Sequence, residues 1–248
     1  MAILHRSKPD LFVFESEAMR MLAVRGRGIN AVSTDVVHTG VDAQKFRPMP
    51  EVASLAHERF AIPRNRRIVV YMGHLHERKG VHVLMQAMTH VVTQMGRDDL
   101  HALFLGNRAG EAEGFAEHWK PAGSHITFGG YQSDIPELLA GCHIGCIPST
   151  GWDSFPMSSL EMQACGLPVV VSDWQGVPET VDPGVTGIVV PVGNAPALAR
   201  ALLSTVDEPG LRDRMSEAAR RRIESAFTIE HQVQNLVRTF QFGARAES

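Results

Sequence analysis

Along most of the chain, short runs of consecutive apolar residues alternate with stretches in which apolar residues return every third or fourth position. RIVVYMG (67–73), HALFLG (101–106), HITFGG (125–130), HIGCIPS (143–149), LPVVVS (167–172) and GIVVP (187–191) are β-branched and close on Gly, Ser or Pro. That pattern predicts buried strands. GVHVLMQAMTHVVTQM (80–95), SDIPELLAGC (133–142), PMSSLEMQAC (156–165) and APALARALLSTV (195–206) carry the helical period between them. Apolar strands separated by helices predict an α/β fold, a Rossmann-like parallel sheet with helices on both faces. Ligands of such sheets bind beyond the carboxyl ends of the strands, which puts the loops after Gly73, Gly106, Gly130 and Ser149 on one rim.

The first sixty residues read differently. LFVFES (11–16), EAMRMLAVRG (17–26) and TDVVHTGVD (34–42) predict one β-α-β unit, and the polar AQKFRPMPE (43–51) a linker. One such unit is too small for a domain and reads as the end of one. Expected boundaries are therefore 1–48 for this remnant and linker, 49–225 for the Rossmann-like body, and 226–248 for a C-terminal helix.

Composition narrows the classes. With 248 residues, 44% hydrophobic, 21% charged and a net charge of −3, the chain supports a large soluble core. It offers no general attraction for nucleic acid. The basic run Arg220-Arg221-Arg222 reads as a solvated helix face. No apolar stretch approaches the roughly 18 residues of a membrane span. Cys142, Cys146 and Cys165 lie in apolar surroundings and read as reduced packing thiols of a cytoplasmic protein.

Chemistry concentrates in DSFPMSSLEMQACGLPVVVS (153–172). Pro156 suits a first helical turn, and Ser158 and Ser159 follow among free backbone N–H groups, an arrangement for phosphate. Glu161, one to two turns in, repels phosphate and suits sugar hydroxyls; Asp153 on the preceding loop suits a second set. Hydroxyls at both ends with phosphate between describe a nucleotide diphosphate sugar. The alternative is a helix cap at Asp153 and a solvated face at Glu161. In YMGHLHERKGVHVLMQAM (71–88), Lys79 opposes the helix dipole where it stands and so predicts an anion beside it. His74, His76 and His82 have no metal-ligand spacing, and no metal is expected.

Together these stretches resemble the donor-binding half of the retaining group 1 nucleotide-sugar glycosyltransferases of the GT-B fold. That family carries two acids separated by seven residues, followed by E-x-x-A-C-G-x-P-V-V. VVHTGVDAQKFRP (36–48), ITFGGYQSDIPELLAGCHIGCIPS (126–149) and GVPETVDPGVTGIVVP (176–191) extend the resemblance over residues 34 to 240. It implies sugar transfer from a nucleotide diphosphate sugar, with retention of configuration and no cofactor. Lys79 would meet the diphosphate, Glu161 the ribose and Asp153 the donor sugar. Backbone at Gly73, Phe155, Pro156, Met157 and Ser158 would flank sugar and phosphate, and Gly130 and Tyr131 would lie by the base.

Three positions depart from the family pattern. His74 stands where an Arg is usual, Asp153 is one methylene shorter than the family's Glu, and His38-Thr39 precede Gly40. The resemblance also implies an acceptor domain ahead of residue 10, so the chain reads as a fragment, a split-enzyme subunit or a reduced relative. The acceptor stays open among glycan, lipid and small molecule, with peripheral membrane contact only through it. A second copy or a separate N-terminal-domain partner is the other expected association. Two alternatives to a transferase remain: a nucleotide-sugar-binding module without transfer activity, and a sugar-nucleotide epimerase.

Overall fold

In the computed structural model, which describes residues 9–243, β1 (Phe12–Phe14) and β2 (Thr34–Val36) pair in parallel, joined by α1 (Glu17–Arg27). They form a two-stranded sheet of their own. The expected strand over 34–42 stops at Val36, because the chain then leaves to cross toward the main body. The extreme ends of the first and last expected segments, 1–8 and 244–248, lie outside the described residues.

The main body follows as α2 (Leu55–Arg59), β3 (Arg67–Met72), α3 (Val81–Thr89), β4 (Leu100–Leu105), α4 (Ala116–Trp119) and β5 (Ile126–Gly130). It continues as α5 (Ile135–Ala140), β6 (Ile144–Ile147), α6 (Met157–Ala164), β7 (Val169–Ser172), β8 (Gly187–Val190), α7 (Ala195–Asp207) and α8 (Leu211–Ala226). β3 to β8 make a six-stranded sheet in the order β5-β4-β3-β6-β7-β8, every pairing parallel. The alternating sides of the strands feed two cores. Val69, Tyr71 and Phe104 join Leu84 and Met88 of α3 and Leu202 of α7 on one face. Ile68, Val70 and Val171 join Leu138 of α5, Leu160 of α6 and Ile223 of α8 on the other. Burial on both faces is why these strands are continuously apolar.

α8 corrects the reading of its basic run. Arg220 donates to the backbone carbonyls of Phe46 (2.8 Å), Ala164 (2.8 Å) and Ala43 (3.0 Å). Arg222 donates to those of Thr180 (2.7 Å) and Glu179 (2.9 Å), its guanidinium 4.1 Å from the Phe227 ring centre. Both flank buried Ile223 and satisfy carbonyls at the ends of loops and of α6, where a cation also meets the helix dipole. Arg221 alone is solvated, beside Glu217.

The chain returns to the small sheet through α9 (Ile229–Gly243). Residues 40–41 and 227–229 cross side by side: Val41 N–H donates to Phe227 O (2.8 Å) and Ile229 N–H to Val41 O (3.2 Å). A Cβ on Gly40 would stand 2.2 Å from Thr228 O, so the crossing needs glycine. Thr239 Oγ1 of α9 donates to Asp35 Oδ2 of β2 at 2.5 Å. Ile229, Val233, Val237 and Phe240 leave an apolar stripe of α9 exposed. No described helix is long and apolar enough to cross a membrane.

At the amino ends of the strands a group of histidines is buried or half-buried. His143 Nδ1 accepts Ile68 N–H (3.1 Å), His101 Nε2 meets Thr127 Oγ1 (2.8 Å), and the His57 and His143 ring centres lie 5.6 Å apart. Burial first, then neighbouring arginines, pushes His101 down to about 4 and His143 down to about 3.

Candidate functional site

The strand order changes direction between β3 and β6, so the crevice for a ligand lies over the loops leaving those two strands. Lys79 stands in the first loop and Asp153 in the second, 3.0 Å apart from Nζ to Oδ2. The loops are stitched together by backbone. Thr150 and Gly151 N–H both donate to Arg78 O (2.9 and 2.8 Å), and Thr150 Oγ1 donates to Glu77 O (2.7 Å). His76 Nδ1 accepts Arg78 N–H (3.1 Å), closing a 3-10 turn over Glu77–Lys79 that ends at Gly80.

Gly80 permits this contact twice over. Its φ is +67°, and a Cβ there would lie 1.7 Å from Pro148 O. Gly80→Ala is expected to cost about 1–2 kcal/mol from the left-handed backbone alone, with the clash added. That is a thermal midpoint several degrees lower, at about 2–4 °C per kcal/mol for a chain of this size. Nucleoside diphosphate affinity should fall with it, because Lys79 is displaced; scanning calorimetry and titration of the purified variant check both.

Asp153 is 7% exposed, against 43% for Lys79. Ser149 Oγ donates to the same Oδ2 at 2.5 Å, and Ser149 O is held in turn by Ser172 Oγ (2.7 Å) at the end of β7. Asp153 N–H donates to Gln175 Oε1 at 2.9 Å. The anion expected beside Lys79 is supplied within the chain by Asp153, so a ligand's phosphate must share or replace it. The pair also removes the alternative of Asp153 as a helix cap, since the N-cap of α6 is Pro156 and has no side-chain bond.

Around this pair the other expected positions are uneven. Gly73 follows β3 and Gly130 ends β5, on either side of β4: Gly73 N–H donates to Leu105 O (2.9 Å) and Gly106 N–H to Gly130 O (2.7 Å). Asn107 Oδ1 takes the Gly130 N–H (2.8 Å), and Tyr131 next to it is 85% exposed. Buried Tyr71 donates to His74 O at 2.8 Å; the His74 side chain is exposed and bonds to nothing among the described residues. Burial, and after it Asp153, pushes the Tyr71 phenol up, so it stays a donor there.

The start of α6 is less open than expected. Phe155 is buried with its ring 4.9 Å from His38 and 6.1 Å from Phe227, leaving only backbone for a ligand. Pro156 is the N-cap rather than a first-turn residue. Ser159 is fully buried and donates to Thr180 Oγ1 (2.8 Å), while Gln163 Nε2 donates to Thr180 O (2.7 Å), so Ser159 is a packing hydroxyl. Met157 and Ser158 stay half-buried at the helix start.

Glu161 is half-buried and its carboxylate makes no hydrogen bond among the described residues. Burial pushes its pKa up, with Lys45 acting the other way. An unsatisfied, partly desolvated carboxylate is a ready acceptor for ligand hydroxyls. No bond links it to the Lys79–Asp153 pair.

Gln175 and Glu179 join the site without having been read from the sequence, and so does the side chain of Ser149, read there only as a strand end on the rim. Glu179 accepts the N–H groups of Glu17 and Ala18 (both 2.8 Å) at the start of α1. Ser154 Oγ donates to Glu15 Oε2 (2.6 Å). The only signal for these is position: each lies on or beside a loop that parallel topology places on the ligand rim. No cluster of three or more His, Cys, Asp or Glu side chains converges among the described residues.

Comparison with known proteins gives the family and the fold. The family described as "Glycosyl transferases group 1" matches residues 54–222. The phosphatidyl-myo-inositol mannosyltransferase of Mycobacterium leprae is 30% identical over 202 residues, 78% of this chain and 51% of that protein. The D-inositol 3-phosphate glycosyltransferase of Streptomyces bingchenggensis is 26% identical over 220 residues, 85% of this chain and 48% of that protein. The chain thus spans about half the length of these curated relatives. Anabaena HepE in complex with UDP-glucose superimposes with a TM-score of 0.86 at 22% identity, over 97% of this chain and 65% of that one. That likeness shows the fold: the Rossmann-like α/β body of GT-B proteins.

Proposed function

Because this chain belongs to the group 1 glycosyl transferases, we propose that it binds a nucleotide diphosphate sugar over the β3 and β6 loops and transfers the sugar to an acceptor with retention of configuration. The observation that carries the reading is the Lys79–Asp153 pair at the change of strand direction, just ahead of the helix that bears unbonded Glu161. Lys79 neutralises the diphosphate, Glu161 accepts the ribose hydroxyls, and Asp153 holds the donor sugar. Backbone from Gly73 and from Phe155 to Ser158 flanks the sugar and phosphates, and Gly130 with Tyr131 flanks the base.

As the acceptor hydroxyl oxygen bonds to the anomeric carbon on the face the diphosphate leaves, the bond to the diphosphate breaks, its electron pair stays on phosphate, and the hydroxyl proton passes to that departing phosphate oxygen. Charge grows there, and a cation already in place is worth more at that moment than in the ground state. His74, at the position of the family's Arg, supplies a further cation only when protonated. In this reading no metal takes part. Residues 49–225 are the donor-binding body, and 1–48 with 226–248 belong to the acceptor side. The exposed stripe of α9 is where a second copy or a separate acceptor-side body would sit. The protein works in the cytoplasm and meets membrane only through its acceptor.

A panel of UDP-, GDP- and ADP-sugars with their bare diphosphates tests the reading by calorimetry; a chain that binds none of them ends it. Glu161→Ala should weaken diphosphate and sugar conjugate alike, by about tenfold, as for one lost hydrogen bond to a charged group. Affinity should also fall as pH drops through the raised pKa of Glu161, since the protonated carboxyl accepts less well. A loss confined to the sugar conjugate would remove Glu161 from the ribose. The second reading, binding without transfer, is favoured by exposed His74 and predicts donor binding with neither transfer nor slow donor hydrolysis.

A further inference from the structure

Two non-glycine residues among those described have positive φ, Ala61 at 51° and Gln175 at 48°. An L residue other than Asn or Asp seldom adopts that conformation, and such positions gather where a side chain must be aimed. Ala61 lies in the turn between α2 and β3, away from the ligand rim. Gln175 lies in the loop after β7, on it.

The neighbour shows why the glutamine is informative. Gly176 follows at φ −85°, an ordinary value, yet a Cβ there would lie 1.6 Å from Ser154 O and 2.5 Å from Ser16 Oγ. So glycine stands where space demands it, while the position whose backbone favours glycine carries a long side chain. That side chain accepts the Asp153 N–H at 2.9 Å. A second local cost sits beside it, the buried Trp174 Nε1, which has no partner among the described residues.

We infer that Gln175 is a positioning residue for the donor sugar, its amide oxygen fixing the backbone of Asp153. The inference rests on the reading of Asp153 as the group that holds that sugar. Asp153 has only two side-chain torsions, and its Oδ2 is taken by Ser149 and Lys79. The carboxylate therefore cannot compensate for a shift of its own backbone, and a displacement near 1 Å at a reacting sugar is costly.

The full chain and its Gln175→Met, Gln175→Gly and Gln175→Glu variants are titrated with UDP, UDP-glucose, GDP and GDP-mannose, with Asp153→Ala as reference. Amide exchange over residues 150–155 is followed in parallel. Gln175→Met keeps length and loses the acceptor; it should bind the sugar conjugate about tenfold more weakly and the bare diphosphate unchanged. Exchange at Asp153 should accelerate by a similar factor. Gln175→Gly should show the same binding loss while melting above Gln175→Met, since its backbone is relieved. Gln175→Glu restores the acceptor and should recover sugar affinity. Wild-type sugar affinity in Gln175→Met, alongside its loss in Asp153→Ala, overturns the inference; so does equal loss for sugar conjugate and bare diphosphate. If Asp153→Ala keeps sugar affinity, it is the reading of Asp153 that fails. Unchanged exchange at Asp153 in Gln175→Met overturns the role of Gln175 whether or not any sugar binds.

Discussion

Asp153→Asn binds a bare nucleoside diphosphate a few-fold more tightly than the unsubstituted chain, and its sugar conjugate more weakly. The expectation follows from the ion pair. Lys79 is committed to Asp153 at 3.0 Å, and the acid is buried while the lysine is half in water. A diphosphate must compete with that acid for the cation and also approaches its negative charge. Removing the charge frees Lys79, a gain kept to about 0.5–1 kcal/mol by the solvent on its side of the pair. The sugar loses its carboxylate partner, so the two ligands move in opposite directions. Lys79→Met is the counterpart: diphosphate affinity falls by about 1.5–3 kcal/mol, roughly 10- to 150-fold. Nucleoside affinity stays put. Calorimetry on both variants with nucleoside, diphosphate and sugar conjugate reads all of this. Equal losses for nucleoside and diphosphate in Lys79→Met would falsify the phosphate role.

Acid should unfold the chain early. His101 and His143 have native pKa values near 4 and 3 against 6.5 when unfolded, because burial opposes their charge. Above pH 6.5 both states hold them neutral and stability is level. As pH falls below 6.5 the unfolded chain takes up protons that the native one refuses. Each histidine then removes about 1.4 kcal/mol per pH unit, roughly 3 kcal/mol apiece by pH 4. Two such terms rival the whole stability of an ordinary domain. His143 adds a specific cost, since protonating Nδ1 forfeits the Ile68 N–H bond. Thermal melts from pH 8 to pH 4 should be flat above 6.5 and fall steeply below it, and His143→Gln should flatten the slope by about half. A midpoint unchanged down to pH 4.5 would refute the account.

The sheet was legible because its strands are buried on both sides. RIVVYM and HALFL leave no polar face to blur the period, and each ends in a glycine that turns onto the rim. Elements with little apolar signal escaped. α2 comes from SLAHERF, too short to show a period, and residues 107–125 become 3-10 turns and α4, braced by Trp119 Nε1 on Ala112 O (2.8 Å). α3 gives way to a π-helical turn at His90–Gln94, where the apolar pattern itself continues.

In the site, residue types could be chosen from sequence but their partners could not. Lys79 and Asp153 are 74 residues apart, and their contact depends on Gly80 letting two loops touch. The buried fates of Phe155 and Ser159, and the bracing roles of Arg220 and Arg222, depend on α8 and on the crossing at Val41. None of these leaves a local mark.

That crossing has a mechanical consequence. Both covalent links between the small sheet with α9 and the six-stranded body run through one spot, tied by Val41–Phe227 and Ile229–Val41. Two cords passing through a single ring resist sliding but leave swivelling free, as a pin does for a lever. What stops the swivel lies off the axis: Glu179 gripping the first turn of α1, and Glu15 on Ser154 beside Asp153. These work as a catch, and Glu179→Gln should loosen it without unfolding either part. The measurable sign would be a wider spread of distances between spin labels on α1 and α7 at an unchanged melting point.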